Sequence, residues 1–137
     1  VAEFEGRPRP APIPTSKPFW DALGEGEVRL QHCADCGRWI YYPRRRCTGC
    51  LSDALVWERV SGKGRLYSYT IARQATHPAF AADVPQFLAV VELDEGVRLT
   101  TTLVDATEAD LVVGREVEPV FDTGGDGMTL LRFRLKG

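Results

Sequence analysis

The chain has 137 residues, 44% hydrophobic and 26% charged, with a net charge of −2, a composition that fits a soluble globular protein with one compact core and excludes a disordered one. Charge is uneven: residues 1–65 hold eleven Lys/Arg against eight Asp/Glu, and residues 66–137 hold six against eleven. The second half therefore lacks the cations that replace counterions on a nucleic-acid backbone. The apolar runs are short and the N-terminus is Arg/Pro-rich, so no secretory or membrane-spanning segment is predicted and a cytoplasmic location is expected. The chain begins at Val1 and its only methionine is Met128, which fits either processing or a piece of a longer polypeptide, and the latter is the expectation.

Residues 1–14, with Arg7-Pro8-Arg9-Pro10-Ala11-Pro12-Ile13-Pro14, predict an extended arm, because proline withholds backbone donors and restrains its predecessor. Residues 15–27 predict a short helix, with Ser16 as its cap and Pro18 in the first turn. Phe19, Trp20 and Leu23 share one face before Gly24 and Gly26 end it.

Residues 28–61 hold the most specific motif, Cys33-Ala34-Asp35-Cys36 and Cys47-Thr48-Gly49-Cys50. Each Cys-x2-Cys turn holds two sulfurs on one side of a tight loop, and two such turns place four at the corners of a tetrahedron, the geometry of structural Zn²⁺. The ten-residue separation is shorter than the usual fifteen to twenty, but Trp39 to Tyr42 can run out as a strand and Pro43 to Arg46 can turn it back. A redox dithiol leaves the second pair idle and lacks a surrounding βαβ pattern, and disulfides are rare in a reducing cytosol. The pattern thus favours zinc bound by Cys33, Cys36, Cys47 and Cys50, with no sulfur left as a nucleophile. Flanking strands are expected at Val28 to His32 and Leu55 to Val60. His32 reads as a strand residue or neighbour of the metal, with a role as ligand the lesser alternative.

Gly62-Lys63-Gly64 predicts a break, and residues 62–137 switch to strands divided by short turns. Leu66 to Gln74 is a long first strand, and Phe87 to Leu93 and Val97 to Leu103 form a hairpin around Asp94-Glu95-Gly96. Asp105 to Val112 predicts one or two helical turns, with Asp105 as cap and Glu108 at the capping-box position. Strands Glu116 to Phe121 and Thr129 to Leu135 follow, separated by the Gly124-Gly125-Asp126-Gly127 turn. In the last, Leu131, Phe133 and Leu135 alternate with Arg132, Arg134 and Lys136, the period of a strand with one buried face. The fold class is mainly β: a short N-terminal helix, a four-cysteine ribbon, and a five-stranded OB-fold barrel with one short helix.

No catalytic set is recognisable. His32 and His77 lie in no Ser/His/Asp or Cys/His arrangement, no glycine-rich phosphate loop follows a strand, and the carboxylates are scattered. Arg44, Arg45 and Arg46 form the densest cation cluster. They read either as solvated charge or as a site for phosphate groups, which suit the bidentate geometry of arginine. The apolar segment His77-Pro78-Ala79-Phe80-Ala81-Ala82 predicts a loop, with Phe80 closing one end of the barrel or anchoring a contact with another protein.

The order of a Phe19-Trp20 helix, a four-cysteine ribbon with Tyr41-Tyr42-Pro43-Arg44 at its turn and a barrel opening with Tyr67-Ser68-Tyr69-Thr70 resembles the domain-of-unknown-function-35 family of acyl-CoA-associated proteins. His77-Pro78-Ala79-Phe80, Pro85 and the hairpin Val91-Glu92-Leu93-Asp94-Glu95-Gly96-Val97-Arg98 extend the likeness over residues 15 to 135. The resemblance implies a rubredoxin-like zinc ribbon and an OB-fold that act as a non-catalytic partner of thiolase-superfamily proteins. Some members bridge acetoacetyl-CoA thiolase and HMG-CoA synthase in archaea. Others in actinobacteria stand beside, or fused to, MaoC-like enoyl-CoA hydratases, and associate with a lipid-transfer-protein-type thiolase-like retro-aldolase of steroid side-chain degradation.

The expected function is accordingly a zinc-binding scaffold that supports an acyl-CoA aldolase, in a complex with two copies of each subunit and without nucleic acid or membrane. Phe19, Trp20, His77, Pro78 and Phe80 are the candidate partner contacts, and Arg44, Arg45 and Arg46 the candidate acyl-CoA contacts. A ribbon-plus-OB nucleic-acid-binding module is the alternative, against which stand the acidic barrel and the lack of a basic groove beside Tyr67 and Tyr69.

Overall fold

The computed structural model describes residues 10–75, 78–123 and 127–136. Most of the expected N-terminal arm, His77 and the Gly124-Gly125-Asp126 part of the last turn lie outside the described residues.

Helix α1 spans Lys17–Gly24, with Pro18 in its first turn and Phe19, Ala22 and Leu23 buried. Its exit is set by Gly26, whose φ of +77° lets Gly26 N–H reach Leu23 O and Glu27 N–H reach Ala22 O, the paired bonds of a Schellman ending. Ser16 does not act as the expected side-chain cap. It is buried, and its hydroxyl is turned back to Ile13, accepting from the Ile13 N–H at 3.1 Å and donating to the Ile13 carbonyl at 3.3 Å. Ser16 thus ties the end of the arm to the helix.

The ribbon sheet has β1 (Val28–Cys33) at its centre, flanked antiparallel by β2 (Trp39–Ile40) and β3 (Leu55–Val60). The strand expected from Trp39 to Tyr42 stops at Ile40. Tyr41 and Tyr42 leave the sheet and set their ring edges against Phe19, at centroid distances of 5.8 and 6.1 Å, and Trp20 Nε1–H donates to the Tyr42 hydroxyl at 3.0 Å. Aromatic contact with α1 wins over continued pairing on a short edge strand.

The barrel comprises β4 (Gly64–Ala72), β5 (Gln86–Leu93), β6 (Arg98–Leu103), β7 (Glu116–Thr123) and β8 (Thr129–Leu135). Its closed order is β4-β5-β6-β8-β7, with β6 and β8 parallel and all other pairs antiparallel. This is the OB-fold barrel. Gly64 is not part of a break as expected. It opens β4 and pairs on both sides, with Leu93 and Val117, so closely that a Cβ would collide with the Glu92 carbonyl oxygen. Only glycine fits where the barrel closes.

Two connections differ from expectation. The segment starting at Pro78 forms a 3₁₀ turn over Pro78–Asp83 rather than an irregular loop. Between β6 and β7, the one or two helical turns expected over Asp105 to Val112 reduce to a 3₁₀ turn at Glu108–Asp110. Asp105 does not cap it, because its φ of +56° places it in the left-handed bend that precedes the turn. Asp110 closes the turn instead, its carboxylate accepting from the Thr107 N–H at 2.8 Å and hydroxyl at 3.0 Å.

One core runs through all three parts. Phe19 and Leu23 of α1, Val28, Leu30 and Val60 of the ribbon sheet, and Leu66, Val91, Leu99, Val117 and Phe133 of the barrel form a single buried cluster. The sulfur end of the ribbon has its own small cluster of Cys33, Ile40 and Cys47, with Leu55 against it.

Candidate metal centre and binding surfaces

The two knuckles are built alike. In the first, Cys33 N–H bonds to Arg38 O, Gly37 N–H to Cys33 O, and Cys36 N–H points at Cys33 Sγ at 3.5 Å. In the second, Cys47 N–H bonds to Ser52 O, Leu51 N–H to Cys47 O, and Gly49 N–H points at Cys47 Sγ at 3.3 Å. Cys33 and Cys47 are buried and Cys36 and Cys50 exposed. Sulfurs placed tetrahedrally about 2.3 Å from a zinc ion would stand roughly 3.8 Å apart. Here Cys33 and Cys50 are 3.6 Å apart, Cys36 and Cys47 are 3.5 Å apart, and all four Sγ atoms lie within 4.8 Å of one another.

The electrostatics also fit a cation. The Cys36 N–H holds the Cys33 thiol below its ordinary pKa, and the N–H groups of Cys50 and Gly49 bring Cys47 down to about 6 against its burial. Cys36 and Cys50 go the other way. The Arg38 N–H favours the Cys36 thiolate and the Ser52 N–H that of Cys50, but the crowded neighbouring sulfurs and the partial desolvation of the thiols outweigh them, and Cys50 is pushed up to about 12. Four crowded sulfurs resist carrying four negative charges until a divalent cation offsets them. With four protein sulfurs as ligands, the zinc is structural and has no open position for substrate or water.

The surroundings pin the knuckles. His32 is not among the clustered ligands. Its ring stacks on Trp39 at 4.1 Å, with Nδ1 2.5 Å from Glu58 Oε2 and Nε2 3.0 Å from Gly37 O, so it braces the first knuckle from β1. Asp35 accepts from the Ser52 hydroxyl and joins one knuckle to the other.

Gln31, which sequence reasoning passed over, is buried on β1. Its amide donates to Arg44 O at 2.8 Å and accepts from Arg44 N–H at 2.7 Å, replacing a strand neighbour for the arginine turn. A glutamine among apolar residues of a central strand was the available signal.

Arg44, Arg45 and Arg46 are all exposed, and among the described residues none has a carboxylate within ion-pair distance. The barrel is different. Arg65, Arg73, Arg98, Arg132, Arg134 and Lys136 each meet a carboxylate, from Glu116, Glu108, Glu92, Asp122, Glu118 and Glu116 respectively. With these six side chains offset by carboxylates, no basic track for phosphates is found among the described residues of the barrel.

The other predicted site residues are dispersed. Phe19 is only 2% exposed and belongs to the core, so its ring is not available at the surface. Trp20 is half-buried beside it, on a cleft of about 210 Å³ lined by Tyr41, Thr100, Leu131 and Arg132. Pro78 is exposed and Phe80 half-buried in the 3₁₀ turn. No arrangement of general acid, base and nucleophile is found among the described residues.

Sequence and structure comparisons decide the family. Residues 20–56 match the model described as "ChsH2, rubredoxin-like zinc ribbon domain", and residues 57–122 match "ChsH2, C-terminal OB-fold domain". The "DUF35 domain-containing scaffold protein" of Methanocaldococcus jannaschii is 34% identical over 110 residues, covering 76% of this chain and 77% of that protein.

The chain belongs to the DUF35 family.

Two longer proteins match it over part of their length. The "Probable enoyl-CoA hydratase alpha subunit" of Thermomonospora curvata is 38% identical over 81% of this chain. The "3-oxo-4,17-pregnadiene-20-carboxyl-CoA hydratase alpha subunit" of Mycobacterium tuberculosis is 30% identical over 75% of it. The match spans about a third of each, 34% and 32%. Among solved structures, a chain of the "Ltp2-ChsH2(DUF35) aldolase" matches with a TM-score of 0.82 and 31% identity, covering 93% of this DUF35 chain and 98% of that one. Among the described residues, no helix is long and apolar enough to cross a membrane.

Proposed function

We propose that this chain is a non-catalytic scaffold that binds a thiolase-like aldolase subunit and supports retro-aldol cleavage of an acyl-CoA, with a steroid side chain as the acyl group. The observation that carries the reading is the likeness to the DUF35 chain of a solved aldolase over nearly the whole of both chains. The pregnadiene-carboxyl-CoA hydratase among the relatives supports the steroid assignment. The hydratase α subunits, about three times as long as the matched region, support a MaoC-like hydratase domain in the same polypeptide.

In this reading the chemistry resides on the partner, and this chain supplies surfaces. Zinc fixes the knuckles, and Gln31 fixes the arginine turn between them. Arg44, Arg45 and Arg46, which have no carboxylate partner among the described residues, face the phosphates of CoA in the assembled complex. Trp20, His77, Pro78 and Phe80 contact the partner, and Phe19 supports Trp20 from beneath through ring contact at 5.3 Å. The symmetry proposed is two copies of each subunit, in keeping with the closed assemblies most oligomers adopt.

The test is co-expression with the thiolase-like subunit, followed by a retro-aldol assay with each component omitted in turn. Cleavage is expected only when both chains are present. Full activity of the aldolase subunit alone would remove the scaffold role.

A further inference from the structure

The two knuckles differ at one matched position. After Cys36 the chain turns through Gly37 at φ +79°, and after Cys50 it makes the same turn through Leu51 at φ +65°. Glycine takes this left-handed conformation freely, whereas a leucine there carries steric strain between its Cβ and the backbone. Inside the chain the side chain gains nothing in return, since Leu51 is 70% exposed, the most exposed large apolar residue described. Leu51 is also tied to the arginine turn, because Arg46 Nη1 donates to its carbonyl oxygen at 3.2 Å. An exposed apolar knob thus stands beside three arginines that have no carboxylate of their own among the described residues.

We infer that Leu51 is the anchor by which the ribbon docks on the aldolase subunit, inserting into an apolar depression beside the CoA phosphates that the Arg44–Arg46 turn faces. This rests on the scaffold reading above and deepens it by naming the contact and its chemistry. An apolar centre with an arginine rim is the arrangement that concentrates binding free energy in a few residues. Arginines with no carboxylate of their own among the described residues steer an anionic counterpart, here the CoA phosphates, and speed its approach. A strained backbone persists where the side chain it presents is used.

The experiment replaces Leu51 by glycine in the full chain and measures thermal stability and affinity for the co-expressed thiolase-like aldolase subunit. Leu51→Gly relieves the strain and removes the knob, so the two readouts should move in opposite directions. The melting temperature should rise by about 3 °C, while affinity falls at least about tenfold. Val113→Ala, at an exposed apolar residue in the connection between β6 and β7, should leave affinity unchanged. If the wild-type chain does not bind the aldolase subunit, the scaffold reading fails and this inference fails with it. If the wild type binds and Leu51→Gly binds equally well, or Val113→Ala weakens binding as much, the inference alone is overturned.

Discussion

The sulfur end of the ribbon and the barrel are held together by different means. Between Cys33 and Ala54 the chain forms a two-residue strand and two knuckles around a cluster of Cys33, Ile40 and Cys47, too little apolar surface to order these residues alone. The barrel encloses Leu66, Val91, Leu99, Val117 and Phe133, with Val91 and Phe133 fully buried, in a cluster that includes none of the four cysteines. The same division separates the surfaces. Six basic side chains of the barrel half meet carboxylates, while the ribbon leaves three arginines and a leucine outward. A metal-held platform can present such groups rigidly without a core behind each one, which suits the ribbon to docking.

Removing the metal tests this comparison most severely. Structural zinc contributes on the order of 10–16 kcal/mol in small zinc-finger peptides at neutral pH, so chelation or Cys47→Ser should unfold residues 33–54. Amide exchange in β5 and β8 should remain slow, because the barrel keeps its core; collapse of both regions together would show that the barrel leans on the ribbon. The pH dependence follows from the sulfurs. Cys36 and Cys50 are raised, the latter to about 12, so metal-free they are protonated at pH 7. Zinc uptake must displace those protons, and zinc affinity should fall as pH is lowered, as read by competition with a chromophoric chelator.

The barrel can be perturbed with the metal in place. Gly64→Ala forces a Cβ against the Glu92 carbonyl at the point of closure and should cost about 3 kcal/mol, measured by denaturant unfolding with zinc content unchanged. A neutral outcome would mean that β4 and β5 can separate without penalty.

A smaller change isolates the arginine turn. Gln31→Ala leaves the backbone N–H and C=O of Arg44 without their amide partner and should cost about 1–3 kcal/mol, with zinc retained and exchange faster at residues 43–46. If the turn exchanges as in the wild type, Gln31 does not position it.

The features legible in the sequence were those set by local chemistry. Two Cys-x2-Cys pairs define the zinc knuckles by spacing, and β8 appears from Thr129 to Leu135 as expected because its alternation leaves one register. What escaped depended on contacts between distant residues. Ser16 has the identity of a helix cap but is taken by Ile13, Tyr41 and Tyr42 have strand propensity but turn to Phe19, and Gln31 matters only because Arg44 lies across from it. Leu51 is the instructive case, since comparing Cys36-Gly37 with Cys50-Leu51 would have exposed the left-handed position once the knuckles were seen as equivalent.

The central claim is that the ribbon, not the barrel's paired surface, faces the aldolase subunit. Hydrogen–deuterium exchange of the chain alone and in complex with that subunit tests it most directly. The account predicts that exchange slows on binding over residues 44–52 and is unchanged along β7 and β8. Slowing confined to the barrel strands, with residues 44–52 exchanging as in the free chain, would contradict it.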